Sequence, residues 1–299
     1  MRVRLIGVPM DLGADRRGVD MGPSAIRYAG LAAAVEAVGH DCADAGDLPV
    51  ARPETVGNGD GRLPSGGRAK YLEQTREVCL DLEASVAETL AEGAFPLVLG
   101  GDHSIAVGTA RGTALDADVG LVWFDAHGDY NTPETTPSGN VHGMSLAALL
   151  GIGRFGDSDW ADAGVDPGNV AVVGARSLDD AEVDALRESR VTVFTMSDID
   201  RRGVSSVVAD ALDRACAGTE GLHVSLDMDW LDPAEAPGVG TPVRGGVTYR
   251  EAHAAMEMVA ERALRSLELV EVNPILDDHN ATAELAVELA ASALGKRVL

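Results

Sequence analysis

The chain has 299 residues, enough for one large α/β domain, and 45% of them are hydrophobic, which excludes global disorder. Its formal net charge is −24, from 48 acidic against 24 basic residues, and this excludes nucleic acid and anionic membrane as partners, because both select a basic surface. Lys70 and Lys296 are the only lysines; a strongly acidic, lysine-poor surface fits a high-salt (halophilic) cytoplasm, the alternative being an ordinary acidic protein from a GC-rich genome.

Cys42, Cys79 and Cys216 are far apart and odd in number, with no C-x-x-C pair, so a disulfide framework is not expected and a reducing, cytoplasmic location is. The start, M-R-V-R-L-I-G-V-P, reaches Gly and Pro too soon for the apolar region of a signal peptide, and no apolar run approaches the ~20 residues that span a bilayer.

In chain order, Val3–Val8 is the first of the short apolar runs that read as buried strands. Asp20–Tyr28 opens a helix with Gly22 at its entry and Pro23 in its first turn, continuing over Ser24–Val38. Pro49–Gly67, rich in Gly and Pro, reads as a surface loop, and Arg68–Glu92 as a long helix. The strands Pro96–Leu99 and Gly120–Phe124 follow, then a helix over Met144–Leu150 and a second long loop over Gly151–Gly168. Beyond these come strand Val170–Val173, helix Asp180–Glu188, a further strand at Val191–Phe194, helix Ser205–Ala217, strand Leu222–Leu226, helix Tyr249–Arg262, strand Leu267–Val272 and helix Ala281–Leu294. This alternation predicts a single domain over 1–299 of the α/β class: a doubly wound, three-layer α/β/α arrangement with a mostly parallel sheet.

The polar residues sit where that fold binds ligands, beyond the carboxyl ends of strands. Pro96–Leu99 runs into G-G-D-H-S, Gly120–Phe124 into D-A-H-G-D, Val170–Val173 into G-A-R-S, Leu222–Leu226 into D-M-D, and the last strand into E-V-N-P. Asp125, His127 and Asp129 alternate, so in extended chain they share one face. With Asp227, Asp229 and His103 they make four carboxylates and two imidazoles, too much negative charge for one ion to need. Two divalent ions about 3.5–4 Å apart accommodate it. Oxygen-rich ligation with some imidazole and no thiolate favours Mn, with Mg, Co or Fe as alternatives, and disfavours structural Zn. A lone D-x-D or G-G-D-H-S is a weak signal; D-A-H-G-D, with three potential ligands at period two, is stronger, and the three motifs together leave little room for an ordinary turn.

The motifs D-A-H-G-D-Y-N-T-P-E-T-T-P-S-G-N-V-H-G, G-G-D-H-S, S-L-D-M-D-W-L-D-P and E-V-N-P resemble those of the ureohydrolase family, and the first is the form found in arginases. The segments R-R-G-V-D-M-G-P-S-A-I-R-Y-A-G and G-T-P-V-R-G-G-V-T-Y-R-E resemble the same family, so the likeness runs from Ile6 to about Asn273. It implies a hydrolase that converts L-arginine and water to L-ornithine and urea with two Mn(2+) ions per subunit, by attack of a metal-bridging hydroxide on the guanidinium carbon, in a homotrimer or homohexamer. The resemblance further implies His103, Asp125, His127, Asp129, Asp227 and Asp229 as ligands, with Asp129 also near the nucleophile. His142 matches the proton shuttle and Glu271 the carboxylate that holds the guanidinium. Asn131, Thr136, Ser138 and Asn140 match the loop that reads the amino-acid end, Asp179 and Glu182 the acids that read the α-amino group, and Thr241 a rim position. Gly128, Tyr130, Trp230 and Pro137 depart from the commoner family residues, and the last two put the pocket rim in question. Agmatinase, another guanidino-substrate ureohydrolase, or a non-catalytic metal-binding subunit are the rival readings; the Asn131–Gly143 loop, which offers amide and hydroxyl donors to a carboxylate that agmatine lacks, separates the first two.

Overall fold

The computed structural model describes residues 1–57, 61–63 and 66–297. Eight strands form one sheet: β1 (Arg2–Val8), β2 (Asp41–Asp47), β3 (Phe95–Gly100), β4 (Val119–Phe124), β5 (Val170–Ala175), β6 (Thr192–Thr195), β7 (Gly221–Asp227) and β8 (Leu264–Val270). Their order is β2-β1-β3-β8-β7-β4-β5-β6 and every pairing is parallel. Parallel strands need crossover connections, and here helices lie on both faces, which is why most strands read as unbroken apolar runs.

On one face the core joins α1 (Gly22–Tyr28), α2 (Leu31–Ala37), α8 (Val204–Ala215), α9 (Tyr249–Val259) and α10 (Ala281–Ala293) to side chains such as Leu97, Val122, Phe124 and Leu267. The opposite face carries α3 (Leu72–Ala91), α4 (Ala106–Ala114), α5 (Ser145–Leu149) and α6 (Asp180–Glu188), packed on residues that include Val98, Leu121 and Trp123. The expected α/β/α layering holds, with the sheet wholly rather than mostly parallel.

Several local expectations change. The helix expected over Ser24–Val38 is two, because Gly30 adopts φ 91° and breaks it. α4 went unpredicted: A-V-G-T-A-R-G-T-A has poor helix formers, and the glycines are there because Gly108 and Gly112 pass close to the α3 backbone at Cys79 and Glu83. A short α7 (Met196–Arg202), capped by Thr195 and Asp198, precedes α8. β2 was missed because D-C-A-D-A-G-D carries none of the apolar signal of a strand; it is an exposed edge paired only to β1. The loop expected over Pro49–Gly67 includes residues 58–60 and 64–65, which lie outside the described residues. Among the described residues no helix is long and apolar enough to cross a membrane.

Between β3 and β4 the chain leaves one half of the sheet for the other, and β8 and β7 fill the gap. These four central strands end side by side, and the chemistry-bearing motifs follow them.

Candidate metal centre and substrate cavity

Each motif is aimed by local backbone bonding. Beyond β3, Gly101 N donates to Val8 O and Asp102 N to Met10 O, at 2.9 and 2.8 Å, a run so close to Met10 that any Cβ at Gly101 would collide with its backbone. Asp102 accepts from Ser104 N and, across the fold, from Gly13 N at 2.7 Å, so His103 leaves the sheet in a fixed direction. After β4, Asp125 accepts from His127 N at 2.7 Å; after β7, Asp227 accepts from Asp229 N at 2.7 Å. In both D-x-[HD] units the first carboxylate caps the turn that presents the next.

The result is a buried cluster. His103 Nδ1 lies 3.1 Å from Asp125 Oδ2, 3.2 Å from Asp129 Oδ2 and 3.1 Å from Asp227 Oδ2. His127 Nδ1 lies 3.0 Å from Asp229 Oδ2 and 3.4 Å from Asp125 Oδ1. Asp125 therefore faces both imidazoles, and two ligand sets share it: His103 with Asp125 and Asp129, and Asp125 with His127 and Asp229. His103 Nδ1 is buried without a hydrogen-bond partner of acceptable geometry. Burial pushes the Asp227 carboxyl well above its ordinary value, and the charges of Asp229 and Asp125 push it further. Burial and Asp125 raise Asp129 to about 6. A crowd of carboxylates around imidazoles, one of whose nitrogens is buried and unpaired, with no thiolate, fits divalent cation binding, which would relieve the repulsion that burial amplifies.

The cluster is braced from behind. His103 stacks on Trp123, with centroids 4.0 Å apart and planes within 8°, while Trp123 Nε1 donates to Asp125 Oδ2 at 2.9 Å. Asp129 and Glu271 hold left-handed backbones, at φ 47° and 64°, a conformation that costs about 1–3 kcal/mol at such sites.

A cavity opens over the cluster, and Asn131, Thr136, Ser138, Glu182 and Thr241 line it together with His142. Thr241 Oγ1 donates to Asp229 Oδ2 at 3.1 Å. Asp179 stands back from the cavity lining: it caps α6 in a reciprocal capping box with Glu182 and accepts from Asn131 Nδ2 at 2.8 Å. Asn140 also stands back, with Oδ1 accepting from Lys70 Nζ at 2.8 Å. Glu271 lies behind His142, its Oε1 accepting from His103 N at 2.9 Å and facing His142 Nδ1 at 3.0 Å. Burial alone would lower the His142 imidazole, but the Glu271 hydrogen bond and charge, with Asp102 and Asp129 beyond, raise it to about 9.

The family model described as "Arginase family" matches residues 1–295. Among curated proteins, the arginase of Bacillus caldovelox is 48% identical over 302 residues, covering 99% of each chain, and that of Bacillus subtilis (strain 168) is 49% identical over 301 residues with the same coverage. Among solved structures, an arginase from Bacillus cereus superposes with a TM-score of 0.91 at 48% identity, covering all of both chains.

The chain belongs to the arginase family. It is accordingly an enzyme, a hydrolase of C–N bonds in linear amidines. Against that background two departures from the commoner family residues separate. Trp230 is fully buried; it packs on Phe124 with centroids 4.7 Å apart and fills the space that Gly174 leaves by lacking a Cβ, so it belongs to the core rather than the rim. Pro137 does line the cavity.

Three supporting residues escaped the sequence reading of this arginase-family chain. Arg176 donates to the carbonyl oxygens of Asp229, Trp230, Leu231 and Val243 and so clamps the turn after β7; its only sequence signal was a charge at a strand end. Asp102 ties the N-terminal loop to the site, and Lys70 holds Asn140 and Asp15 together. No period or motif announces such partners, because each acts on a segment remote in sequence.

Proposed function

We propose that the chain hydrolyses L-arginine to L-ornithine and urea with two Mn(2+) ions per subunit, held by His103, Asp125, His127, Asp129, Asp227 and Asp229. The observation that carries this reading is the shared position of Asp125 between two imidazoles whose Nδ1 atoms face carboxylates, beneath a cavity lined by amides and hydroxyls. Relatives named arginase at 48–49% identity over 99% of the chain support the same substrate. When bound, the ions supply a water of lowered pKa as the nucleophile that a resonance-stabilised guanidinium requires.

The chain's own residues do the rest. Asn131 and Ser138, with Thr136 beside them, offer donors to the substrate α-carboxylate, and Glu182 offers a carboxylate to the α-ammonium. Asp179 acts one step back by holding the Asn131 amide. Glu271 accepts from the guanidinium in the planar geometry a carboxylate suits, and Asp129 takes a proton from the nucleophile. His142, protonated at neutral pH beside Glu271, returns a proton to the leaving amine. Asn140 shapes the loop from its place against Lys70. The family likeness also favours a cytoplasmic homo-oligomer, a trimer or hexamer, which light scattering resolves.

The decisive experiment compares urea and ornithine release from arginine and from agmatine, with and without Mn. Turnover of arginine alone, dependent on metal, is expected. Turnover of agmatine with none of arginine, or urea release after complete removal of divalent metal, would sink the proposal.

A further inference from the structure

Behind the cluster lies a second set of buried polar groups that the proposed chemistry does not use. Glu268 is fully buried in the middle of β8, and neither of its carboxylate oxygens has a hydrogen bond of acceptable geometry. A buried carboxylate in the central strand of a sheet is costly, and such a group calls for a role. Its neighbours are defined by strand register. Across the parallel β7–β8 pair, Ser225 sits opposite Glu268 and His223 opposite Ser266.

Counting hydrogens along this row fixes the directions. Thr113 Oγ1 donates to Thr109 O, so the 2.8 Å contact between Thr113 and Ser266 uses the Ser266 proton. The contact of His223 Nδ1 with Ser266 Oγ, also 2.8 Å, then needs the proton of Nδ1, and His223 Nε2 is left facing Glu268 Oε1 at 3.5 Å. On the other side, His103 Nε2 meets Ser225 Oγ at 2.7 Å. His103 Nδ1 faces the three carboxylates, so it must present a lone pair to bind a cation, and the ring proton must sit on Nε2 and go to Ser225. The Ser225 hydroxyl then has its own proton to place, and Glu268, with both oxygens unpaired, lies opposite it across the β7–β8 pair. Burial alone would raise the Glu268 carboxyl, yet His223, then His103 and the Ser225 hydroxyl, hold it below its ordinary value.

We propose that Glu268, acting through Ser225, is the positioning anion of the His103 side of the metal centre: the relay Glu268–Ser225–His103 locks the tautomer that points Nδ1 at the cation and makes that nitrogen a stronger donor. Among the described residues His127 has no such relay; its own contacts are with Asp125 and Asp229, and it is the more exposed ring. The two halves of the centre are thus predicted to differ in how tightly they hold metal, and the difference depends on β8. The inference rests on the proposed two-ion reading and adds to it which residues set the affinity of one ion.

The test is a titration of the metal-stripped full chain with Co(2+), followed by its d–d absorption and by metal content after dialysis, with far-UV circular dichroism as the folding check. Ser225→Ala and Glu268→Gln are expected to weaken one of the two ions about 10–100-fold and leave the other nearly unchanged. Ser225→Thr, which keeps the hydroxyl, is expected to restore the tighter ion. The double variant Ser225→Ala, Glu268→Gln is expected to be no worse than Ser225→Ala alone, because Glu268 acts through that hydroxyl. Equal loss of both ions, additive losses, or no rescue by Thr reduces Glu268 to a structural residue and overturns the inference. Two ions bound as tightly in Ser225→Ala as in the unaltered chain overturn it as well. An unaltered chain that takes up no divalent ion overturns the two-ion reading, a failure visible before any variant is made.

Discussion

Two acidic regions of this molecule use the same residue to opposite ends. At the β2 edge, Asp41, Asp44 and Asp47 recur at every third position of an exposed strand, and Arg27 of α1 pairs with Asp44 at 2.7 Å and with Asp47. Burial there is partial, so the Arg27 hydrogen bonds outweigh it and lower the Asp44 carboxyl. At the rim of β3, β4, β7 and β8, Asp125, Asp129, Asp227 and Asp229 are buried together, and among the described residues no arginine or lysine forms an ion pair with them. Water and a guanidinium neutralise the first group; the second calls for a cation from outside. Both are short acid-rich stretches at strands, so local acidity by itself says little, and burial decides which kind of site it makes.

The largest effect should come from breaking the rim. Asp125→Ala removes the carboxylate that both imidazoles face, and is expected to abolish urea release and the retention of both ions through gel filtration; a variant that keeps two ions would remove Asp125 from the centre of the cluster. Next come the groups proposed to touch substrate without touching metal. His142→Ala is expected to lower kcat about 10²–10⁴-fold while metal content stays intact, the magnitude usual for a general acid. Glu271→Gln should raise KM and lower kcat together, and unchanged steady-state kinetics would exclude Glu271 from substrate binding.

A smaller effect is expected from pH. His142 sits above its unfolded value of 6.5, so its contribution to stability is complete below about 6.5 and fades as the pH rises through about 9. Glu271 sits below its unfolded value of 4.5, so its share is present above that value and is lost as the pH falls through the lowered one. In the metal-stripped chain the melting temperature of the unaltered protein should exceed that of His142→Gln most near pH 5–6.5, and the two should converge above pH 9. A gap that widens with pH would show that the pair does not form. The smallest effect belongs to the β2 edge. Arg27→Ala is expected to cost roughly 1 kcal/mol or less, as for exposed ion pairs, and less still at high salt. The chain as a whole, at −24, should gain stability with salt; full stability at low ionic strength would count against a high-salt origin.

The same contrast explains what the sequence made legible. The rim was readable because buried parallel strands are unbroken apolar runs, so an acid or histidine ending one is conspicuous: Asp125 after V-W-F and Asp227 after V-S-L announce themselves. β2 was illegible for the converse reason, since an edge strand facing water is under no pressure to be apolar. α4 was hidden because its glycines serve close packing on α3 rather than helix propensity. Within the site, residues that meet the cavity could be placed by motif, whereas Asp179, Asn140 and Glu271 are absent from its lining and hold neighbouring residues instead. The backbone strain at Asp129 and Glu271 left no trace in composition.

The wholly parallel sheet has a consequence for the life of the protein. Ser225 and His103, which touch, are 122 residues apart; the set of Asp125, His127 and Asp229 needs β4 and β7 paired, and the set of His103, Asp125 and Asp129 needs β3 brought level with β4 across β8 and β7. Such long-range pairing is slow, so the nascent chain passes through a period in which its central strands are made but unprotected. A cation that binds the finished rim and not the open chain adds to stability in proportion to the logarithm of its free concentration. The supply of metal would then govern turnover and survival together: a cell short of it would lose the polypeptide itself to proteolysis, and not merely its activity.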